Sequence, residues 1–343
     1  MSTAQRVSHR RERTGNTPSW LGWSLAAPLA PISVMLLLSV SGCSASSSGD
    51  AQRKVLVAEV ASYDLSPDRS ERFIVGLFAA DRGDVALGEV EVSFAYIGPL
   101  DPAAPAIPSE SPPSPTTAQF LPIPGAPQFS QADPTFDAPP GVRGVYGTGQ
   151  LRFDVPGVWE ITVAATIDGS AQTATAFFEV FETSLVPGPG DRAPHTQQPL
   201  PGDPAVEPKA IDSRLEFNDD LPDPALHRRT ISEALEEGRP VMVVVSTPVF
   251  CVSRYCGPIT DELARLSESH GEAMEFVHLE VWESFEENRL NASALEWIGP
   301  IDPSEAAEPW VFLVDETGTI VRRWDNLAST GELQAAIADL LNI

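Results

Sequence analysis

The sequence predicts a multidomain protein in which an all-β domain is followed by an α/β domain. The chain of 343 residues is long enough for two domains and tails. Apolar residues alternate in short runs before residue 184, as in β-strands, whereas helical spacing appears after residue 210. The expected boundaries are a leader at 1–42, a tether at 43–53, a β domain at 54–184 with a proline-rich insertion at 98–140, a linker at 185–209 and an α/β domain at 210–343.

The charge of the chain disfavours one class of partner. The formal net charge is -26, and lysine occurs only at positions 54 and 209. A surface this acidic repels phosphate groups, which disfavours nucleic acid and an anionic membrane face as direct partners. We therefore expect no nucleic-acid partner.

The leader has the pattern of an export signal. A basic segment at 6–13 precedes an apolar stretch at 20–40 that two prolines interrupt. The stretch ends in Val40-Ser41-Gly42-Cys43, which resembles the lipobox of bacterial lipoproteins. The resemblance implies cleavage before Cys43 and a diacylglycerol thioether on its sulfur, which would anchor the protein to the cell membrane on the extracytoplasmic side. The alternative is an uncleaved transmembrane anchor, because the apolar stretch is nearly long enough to span a bilayer.

Short alternating runs in the β domain predict six or seven strands and no helix. They lie at residues 54–60, 72–79, 90–97, 144–150, 151–155, 158–165 and 171–181. Asp168-Gly169 is expected to form a two-residue hairpin turn between the last two runs. This pattern favours an antiparallel β-sandwich of immunoglobulin type. The expected core residues are Phe73, Val75, Phe94, Trp159, Ile161 and Phe177.

The two proline-rich stretches are expected to contribute little to the cores. The insertion at 98–140 holds no periodic pattern of useful length. Its apolar segment at 120–125 is expected to dock on the edge of the sandwich or on the second domain. The linker at 185–209 contains several prolines and few residues able to pack, which predicts a semi-rigid spacer.

Periodicity in the last third of the chain alternates between helix and strand. Capping-box patterns at Thr230-Ile231-Ser232-Glu233 and Ser329-Thr330-Gly331-Glu332 predict the starts of two helices. A continuous apolar run at 241–245 predicts a strand buried on both faces. The other expected elements are a helix at 258–269, a strand at 275–281, a short helix at 291–297 and strands at 310–314 and 319–324. This order predicts two parallel strands and a terminal antiparallel hairpin, with helices on both faces.

Cys251 and Cys256 form the chemically most informative pair. They are what remains of the three cysteines if Cys43 carries a lipid. Outside the cytoplasmic membrane, a pair this close in sequence is typically redox-active or disulfide-bonded. The pair lies between a buried strand and a helix that opens near Pro258, and a helix N-terminus favours thiolate over thiol.

Residues 228–343 resemble a thioredoxin-family domain. Cys256-Gly257-Pro258 is similar to the Cys-Gly-Pro of the thioredoxin site, and Glu308-Pro309-Trp310-Val311 lies where that family has its cis-proline before a strand. The resemblance implies a cis peptide bond at Pro309 and a role for this residue in shaping the substrate groove beside the cysteines.

The chain also departs from that family, because Ile259 occupies the place of the second cysteine and the partner lies upstream. Two assignments stay open. In the first, which Gly257-Pro258 favours by fixing the helix start, Cys256 is the nucleophile and Cys251 resolves it. In the second, Cys251 attacks and Cys256 resolves.

Three interpretations of the pair compete. The first is a cofactor-free thiol–disulfide oxidoreductase that acts on extracytoplasmic protein thiols and disulfides. The second is a structural disulfide in a non-catalytic binding module. The third is a peroxide or Cu(I) site. Cys-x4-Cys after Thr247-Pro248 resembles the bacterioferritin-comigratory peroxiredoxins, although Thr247 lies one residue too far upstream.

His278 is the candidate third ligand of a Cu(I) site, since it could join the two thiolates in an arrangement similar to that of copper-delivery proteins of cytochrome oxidase assembly. A lone histidine on a strand is more often a core or edge residue. The other histidines singled out, which we expect at the surface, are His195, His227 and His270.

Overall fold

The computed structural model describes residues 55–80, 83–127, 129, 133–216, 220–299 and 307–343. In the first half of the described chain, seven strands are connected by loops and turns. They are β1 (Leu56–Val60), β2 (Glu71–Ala79), β3 (Glu89–Gly98), β4 (Thr116–Pro122), β5 (Gly144–Leu151), β6 (Gly157–Ile167) and β7 (Ser170–Val180). Asp168 and Gly169 have positive φ angles of 49° and 77° between β6 and β7, which confirms the expected hairpin turn.

Within the described residues, these strands form one antiparallel sheet in the order β1-β2-β5-β4-β3-β6-β7. The all-β, antiparallel prediction is confirmed, but the two sheets expected of a sandwich are joined. The strand that joins them is β4, which pairs with β3 through residues 116–119 and with β5 through residues 119–122. Because β1 and β7 also lie side by side, the sheet nearly closes on itself.

β4 lies inside the insertion at 98–140, where the sequence predicted no strand. Ala118 is the only fully buried residue of this strand, whose other residues are exposed or half-buried. The alternation of apolar and polar residues is therefore too weak to detect from the sequence, and pairing with both neighbours defines the strand instead.

An aromatic cluster fills the space that the sheet encloses. The ring centroid of Phe73 lies 5.0 Å from that of Phe94 and 4.9 Å from that of Phe178. Phe153 packs against Trp159 with ring centroids 5.1 Å apart. The core positions that this arrangement confirms are Phe73, Val75, Phe94, Trp159 and Ile161.

Phe177 was wrongly expected in this core. Its side chain is 62% exposed, whereas the neighbouring Phe178 is only 7% exposed. The register explains the difference, because Phe178 pairs with Trp159 on the inner face and Phe177 pairs with Glu160 on the outer face. Two adjacent phenylalanines fit either face of a strand by sequence alone, and the pairing with β6 decides which is buried.

The second half of the described chain contains strands and helices in alternation. Three short 3-10 helices, Pro208–Ala210, Ser213–Glu216 and Pro224–His227, come first. The remaining elements are α1 (Ile231–Glu236), β8 (Val241–Ser246), α2 (Cys256–His270), β9 (Glu275–Glu280), β10 (Trp282–Ser284), β11 (Arg289–Leu290), α3 (Ala292–Ile298), β12 (Trp310–Val314), β13 (Ile320–Asp325) and α4 (Thr330–Leu341).

A four-stranded sheet in the order β13-β12-β8-β9 forms the centre of this α/β region. β8 and β9 are parallel, and β12 is antiparallel to both β8 and β13, as expected. Residues 241, 243 and 245 of β8 pack with α1 and α3, whereas residues 242 and 244 pack with α2 and α4. Both capping boxes are confirmed, so the predicted helix starts and the covering of both faces are observed.

The segment at 185–209 is not a spacer without packing partners. Val186 and Ala193 are buried in the core that also holds α1 and α3. Thr196 is fully buried and accepts a hydrogen bond of 2.9 Å from the indole Nε1 of Trp297. Residues between the prolines of this segment therefore reach the α/β core. The expectation that few residues of this segment are able to pack is therefore wrong.

The seven-stranded region (the β domain) and the α/β region (the second domain) belong to one compact unit and meet at a buried interface. Arg323 on β13 lies 2.9 Å from Asp64 and 2.8 Å from Glu71 in the β domain. In the apolar part of the interface, Leu327 packs with Ile74, and Leu121 and Ile123 join the same cluster. The apolar segment at 120–125 therefore contacts the second domain, which is one of its two expected positions.

The described helices include none that is long and apolar enough to cross a membrane. The predicted leader, Cys43 and the tether lie outside the described residues.

Candidate functional site

Cys251 and Cys256 form a disulfide in which the Cα atoms are 6.0 Å apart. Cys251 lies in the loop after β8, and Cys256 is the first residue of α2. The helix therefore begins two residues before Pro258. Cys256 is fully buried, whereas Cys251 is half-buried. The expectation of a bonded pair is confirmed, and its two sulfurs differ in their access to solvent.

Two polar groups lie close to the sulfur of Cys251. The backbone N–H of Cys256 points at Cys251 Sγ with an N–S distance of 3.4 Å. Ser253 Oγ lies 3.3 Å from the same sulfur, while its proton is directed to the backbone carbonyl of Glu308. Hydrogen bonds to a charged form stabilise that form, and the N-terminus of a helix adds a favourable field for an anion. After reduction, this arrangement would favour the thiolate of Cys251.

The segment before β12 faces the cysteine loop. The Glu308–Pro309 peptide bond is cis, as the resemblance to thioredoxins implied. Ser253 Oγ donates a hydrogen bond of 3.2 Å to the backbone carbonyl of Glu308, and the hydroxyl of Tyr63 donates another of 3.1 Å. Burial, together with the charge of Asp325, raises the pKa of Tyr63, which therefore remains a neutral donor. These bonds connect the cysteine loop, the Pro309 segment and the β domain.

The carboxyl group of Glu308 lies beside the disulfide. Its nearest oxygen and the sulfurs of Cys251 and Cys256 all lie within 4.8 Å of one another. The residue is buried, and Oε2 has no hydrogen-bond partner among the described residues. Burial and the negative charge of Glu280 raise the pKa of Glu308 to about 7. A buried carboxyl group that changes charge near neutral pH can exchange a proton with a neighbouring thiol.

Sequence reasoning included Glu308 in a motif but gave it no role. One signal was present, because Glu308 lies two residues before a fully apolar strand, and an acid that is buried beside such a strand is typically paired or functional. Ser253 and Tyr63 offered no comparable signal. Their contacts with Glu308 join residues far apart in the chain.

A cleft between the domains opens beside the cysteine loop. Val252, Tyr255 and Glu308 line one side, while Val60 and Phe78 of the β domain line the other. Val252, the residue after Cys251, is 91% exposed. An extended chain in this cleft would contact both domains close to the more accessible sulfur.

His278 does not lie with the cysteines in the cluster of potential ligands. Within the described residues, Glu308 is grouped with the two sulfurs, and His278 is grouped with Asp212 and His227. His227 is buried, so its expected position at the surface is wrong. Its short 3-10 helix turns the ring inward, which no periodic pattern indicated.

The remaining residues singled out from sequence occupy ordinary positions. Thr247, which the resemblance to peroxiredoxins included, is fully buried. His195 is exposed, as expected, and His270 is half-buried at the end of α2.

No family model, curated protein or solved structure matches this chain. The function is therefore inferred from the geometry around Cys251 and Cys256.

Proposed function

We propose that this chain is a lipid-anchored, extracytoplasmic thioredoxin-like protein that exchanges disulfides with partner proteins through Cys251 and Cys256. One observation supports this proposal most strongly. The disulfide joins a sulfur near the surface to a fully buried sulfur at a helix N-terminus, so a partner can reach only one end of the bond. The anchor rests on the lipobox-like sequence before Cys43.

The topology supports the two finer fold assignments. In the α/β domain, the cysteines lie at the start of α2 next to the Pro309 segment, and the parallel pair β8–β9 extends into the β12–β13 hairpin, which is the arrangement expected of a thioredoxin fold. In the β domain, β1-β2-β5-β4 and β3-β6-β7 correspond to the two sheets of an immunoglobulin-type sandwich. On this assignment, β4 is the strand that passes from one sheet to the other.

Exchange begins at the accessible sulfur. A thiolate of the partner protein attacks Cys251 Sγ, the Cys251–Cys256 bond breaks, and a mixed disulfide forms with Cys251. The sulfur of Cys256 leaves as a thiolate at the N-terminus of α2, where the helix field stabilises it. It then takes the proton of the Glu308 carboxyl group.

A second partner thiolate completes the transfer. It attacks the partner sulfur of the mixed disulfide, and Cys251 leaves as a thiolate. The partner has then lost two electrons and gained a disulfide, and the cysteine pair has gained the two electrons. The same steps in reverse reduce a partner disulfide, with the carboxylate of Glu308 accepting the proton of Cys256. This geometry favours Cys251 as the nucleophile, which is the second of the two assignments left open by the sequence.

Trapping with a defined substrate tests the proposal. The reduced full-length protein is mixed with a peptide that contains one disulfide, and mixed disulfides are located by mass spectrometry. We expect Cys256→Ser to accumulate a stable mixed disulfide at Cys251, because the resolving thiol is absent. Cys251→Ser is the matched control and should accumulate none. A failure of both variants and of the wild type to react would contradict the exchange function, and trapping only at Cys256 would reverse the two roles.

A further inference from the structure

Asp212, His227 and His278 meet in the interior of the α/β region. They come from three segments, since Asp212 precedes the second 3-10 helix, His227 ends the third, and His278 lies in β9. All three side chains are buried, and their potential ligand atoms lie within 4.8 Å of one another. The exchange chemistry at Cys251 does not use this cluster.

The separations in the cluster fit a metal ion better than they fit hydrogen bonds. Asp212 Oδ2 lies 3.4 Å from His227 Nε2 and 3.5 Å from His278 Nδ1. Hydrogen bonds between nitrogen and oxygen are usually about 2.7–3.2 Å long. Two ligands held at about 2.0–2.1 Å from a tetrahedral zinc ion are about 3.3–3.4 Å apart. Within the described residues, His227 Nε2 and His278 Nδ1 have no partner at hydrogen-bond distance and angle.

The contact made by Nε2 of His278 determines which of its two ring nitrogens carries the lone pair. His278 Nε2 lies 3.1 Å from the backbone carbonyl of Ser246, which can only accept a hydrogen bond. The ring therefore carries a proton on Nε2, and in the neutral imidazole Nδ1 presents a lone pair to Asp212 Oδ2. Two acceptors facing each other in a buried site repel unless a proton or a metal ion lies between them, and the separations given above favour the metal ion. Metal-ligating histidines commonly have this pairing of one ring N–H with a backbone carbonyl.

We propose that Asp212, His227 and His278 bind a divalent d-block cation of the zinc type, with a water molecule as the fourth ligand. Two imidazoles and one carboxylate, with one position left for water, form a common zinc donor set. The ion would join Asp212, before the second 3-10 helix, and His227, at the end of the third, to His278 of β9. The site is separate from the disulfide and does not depend on the exchange function.

The surrounding charges are compatible with such an ion. Arg214 lies 2.7 Å from Asp212 Oδ2, which brings a second positive group close to the site. Arg214 is also paired with Asp223 at 2.8 Å and with Asp261 at 3.2 Å. Two further carboxylates therefore offset the charge of the guanidinium, and Asp212 keeps a second oxygen, Oδ1, for the bond to Arg214 Nε.

Zinc titration of the full-length protein tests the proposal. The protein is treated with chelator, desalted with the disulfide intact and titrated with Zn²⁺ in a calorimeter. We expect one ion per chain, with affinity lowered at least about tenfold in His227→Gln, since even outer-shell changes at metal sites cost this much. The exposed His195→Gln is the matched control and should bind like the wild type. The double variant Cys251→Ser, Cys256→Ser should also bind, because the sulfurs are not ligands.

Three outcomes would overturn the proposal: no zinc binding by the wild type, full binding by His227→Gln, or loss of binding in the cysteine double variant. If His227→Gln fails to fold, Co²⁺ is added to the wild type instead. We then expect the strong visible absorption of a tetrahedral nitrogen and oxygen site. A weak octahedral spectrum, or none, would equally overturn the proposal.

Discussion

At the scale of single residues, Glu308 is the group that most affects the chemistry of the site. It is the acid that lies within reach of both sulfurs in the described cluster, and its pKa of about 7 lets it hold or release a proton at neutral pH. In the proposed exchange, the buried Cys256 needs a proton acceptor when it attacks a mixed disulfide. Glu308 would provide one without opening the site to water.

The variant Glu308→Gln should alter the pH dependence of exchange. In the wild type, the rate at which reduced protein resolves a mixed disulfide should rise as pH passes through about 7, because Glu308 then becomes a carboxylate. In the variant, the rate should no longer rise as pH passes through about 7. At pH 8 the variant should react at least about tenfold more slowly than the wild type, which is within the range of general-base effects. Single-turnover release of a peptide thiol measures the rate. The control is Glu316→Gln, at an exposed position, which should retain the wild-type dependence of rate on pH. If the rate of Glu308→Gln rose with the same pH midpoint as the wild type, Glu308 would not be the proton acceptor.

The same residue should make stability depend on pH. The pKa of Glu308 is raised from 4.5 to about 7 by folding, so the folded protein retains a proton that the unfolded chain has lost between these values. The free energy of unfolding therefore falls as pH rises from 4.5 to 7, by about 3 kcal/mol at most from this group. In urea unfolding, Glu308→Gln should have the same free energy of unfolding as the wild type at pH 4.5 and a larger one at pH 8. An equal difference at both pH values would contradict the assignment.

At the scale of elements, the register of β7 determines which aromatic side chain supports the β domain. Phe178→Ala should lower the free energy of unfolding by about 3–4 kcal/mol, because it removes a buried ring from the aromatic cluster. Phe177→Ala, one residue away, should change it by less than about 0.5 kcal/mol, because that ring is largely exposed. Urea denaturation measures both variants. Equal losses would show that the register is wrong.

The sequence predicted those helices and strands whose own residues form a recognisable pattern. The capping boxes at Thr230 and Ser329 specified two helix starts, and the apolar run of β8 specified a strand buried on both faces. The spacing of the cysteines predicted a bonded or reactive pair, and the cis bond at Pro309 was implied by the resemblance to thioredoxins.

Features that depend on distant partners could not be predicted in this way. β4 is defined by pairing with two other strands, and Val186 is buried only because the α/β core lies beneath it. His227 and Glu308 acquire their neighbours from segments far away in the sequence, so neither periodicity nor spacing indicates their surroundings.

At the scale of the whole molecule, a buried group of charges joins the two domains. Arg323 is 7% exposed and lies between Asp64 and Glu71 of the β domain, with its guanidinium 5.4 Å from the ring centre of Trp310. The removal of one member of a buried ion pair leaves its partners charged and without compensation. The interface therefore depends strongly on this one side chain.

Arg323→Met should lower the free energy of unfolding by about 3–5 kcal/mol, since Asp64 and Glu71 would remain buried without a counter-charge. The neighbouring Arg322 is exposed, so Arg322→Met should change it by less than about 0.5 kcal/mol. Chemical denaturation of both variants provides the comparison. A loss in Arg323→Met no larger than in Arg322→Met would show that the domains do not depend on this contact.

The reduction potential of the Cys251–Cys256 couple tests the proposed function most directly. The full-length protein is equilibrated with glutathione buffers of graded ratio, and the oxidised fraction is measured by thiol alkylation and mass spectrometry. Disulfide exchange predicts a potential between roughly -270 and -120 mV, the range of known exchange catalysts. A potential below about -300 mV, as is typical of structural disulfides, would contradict it.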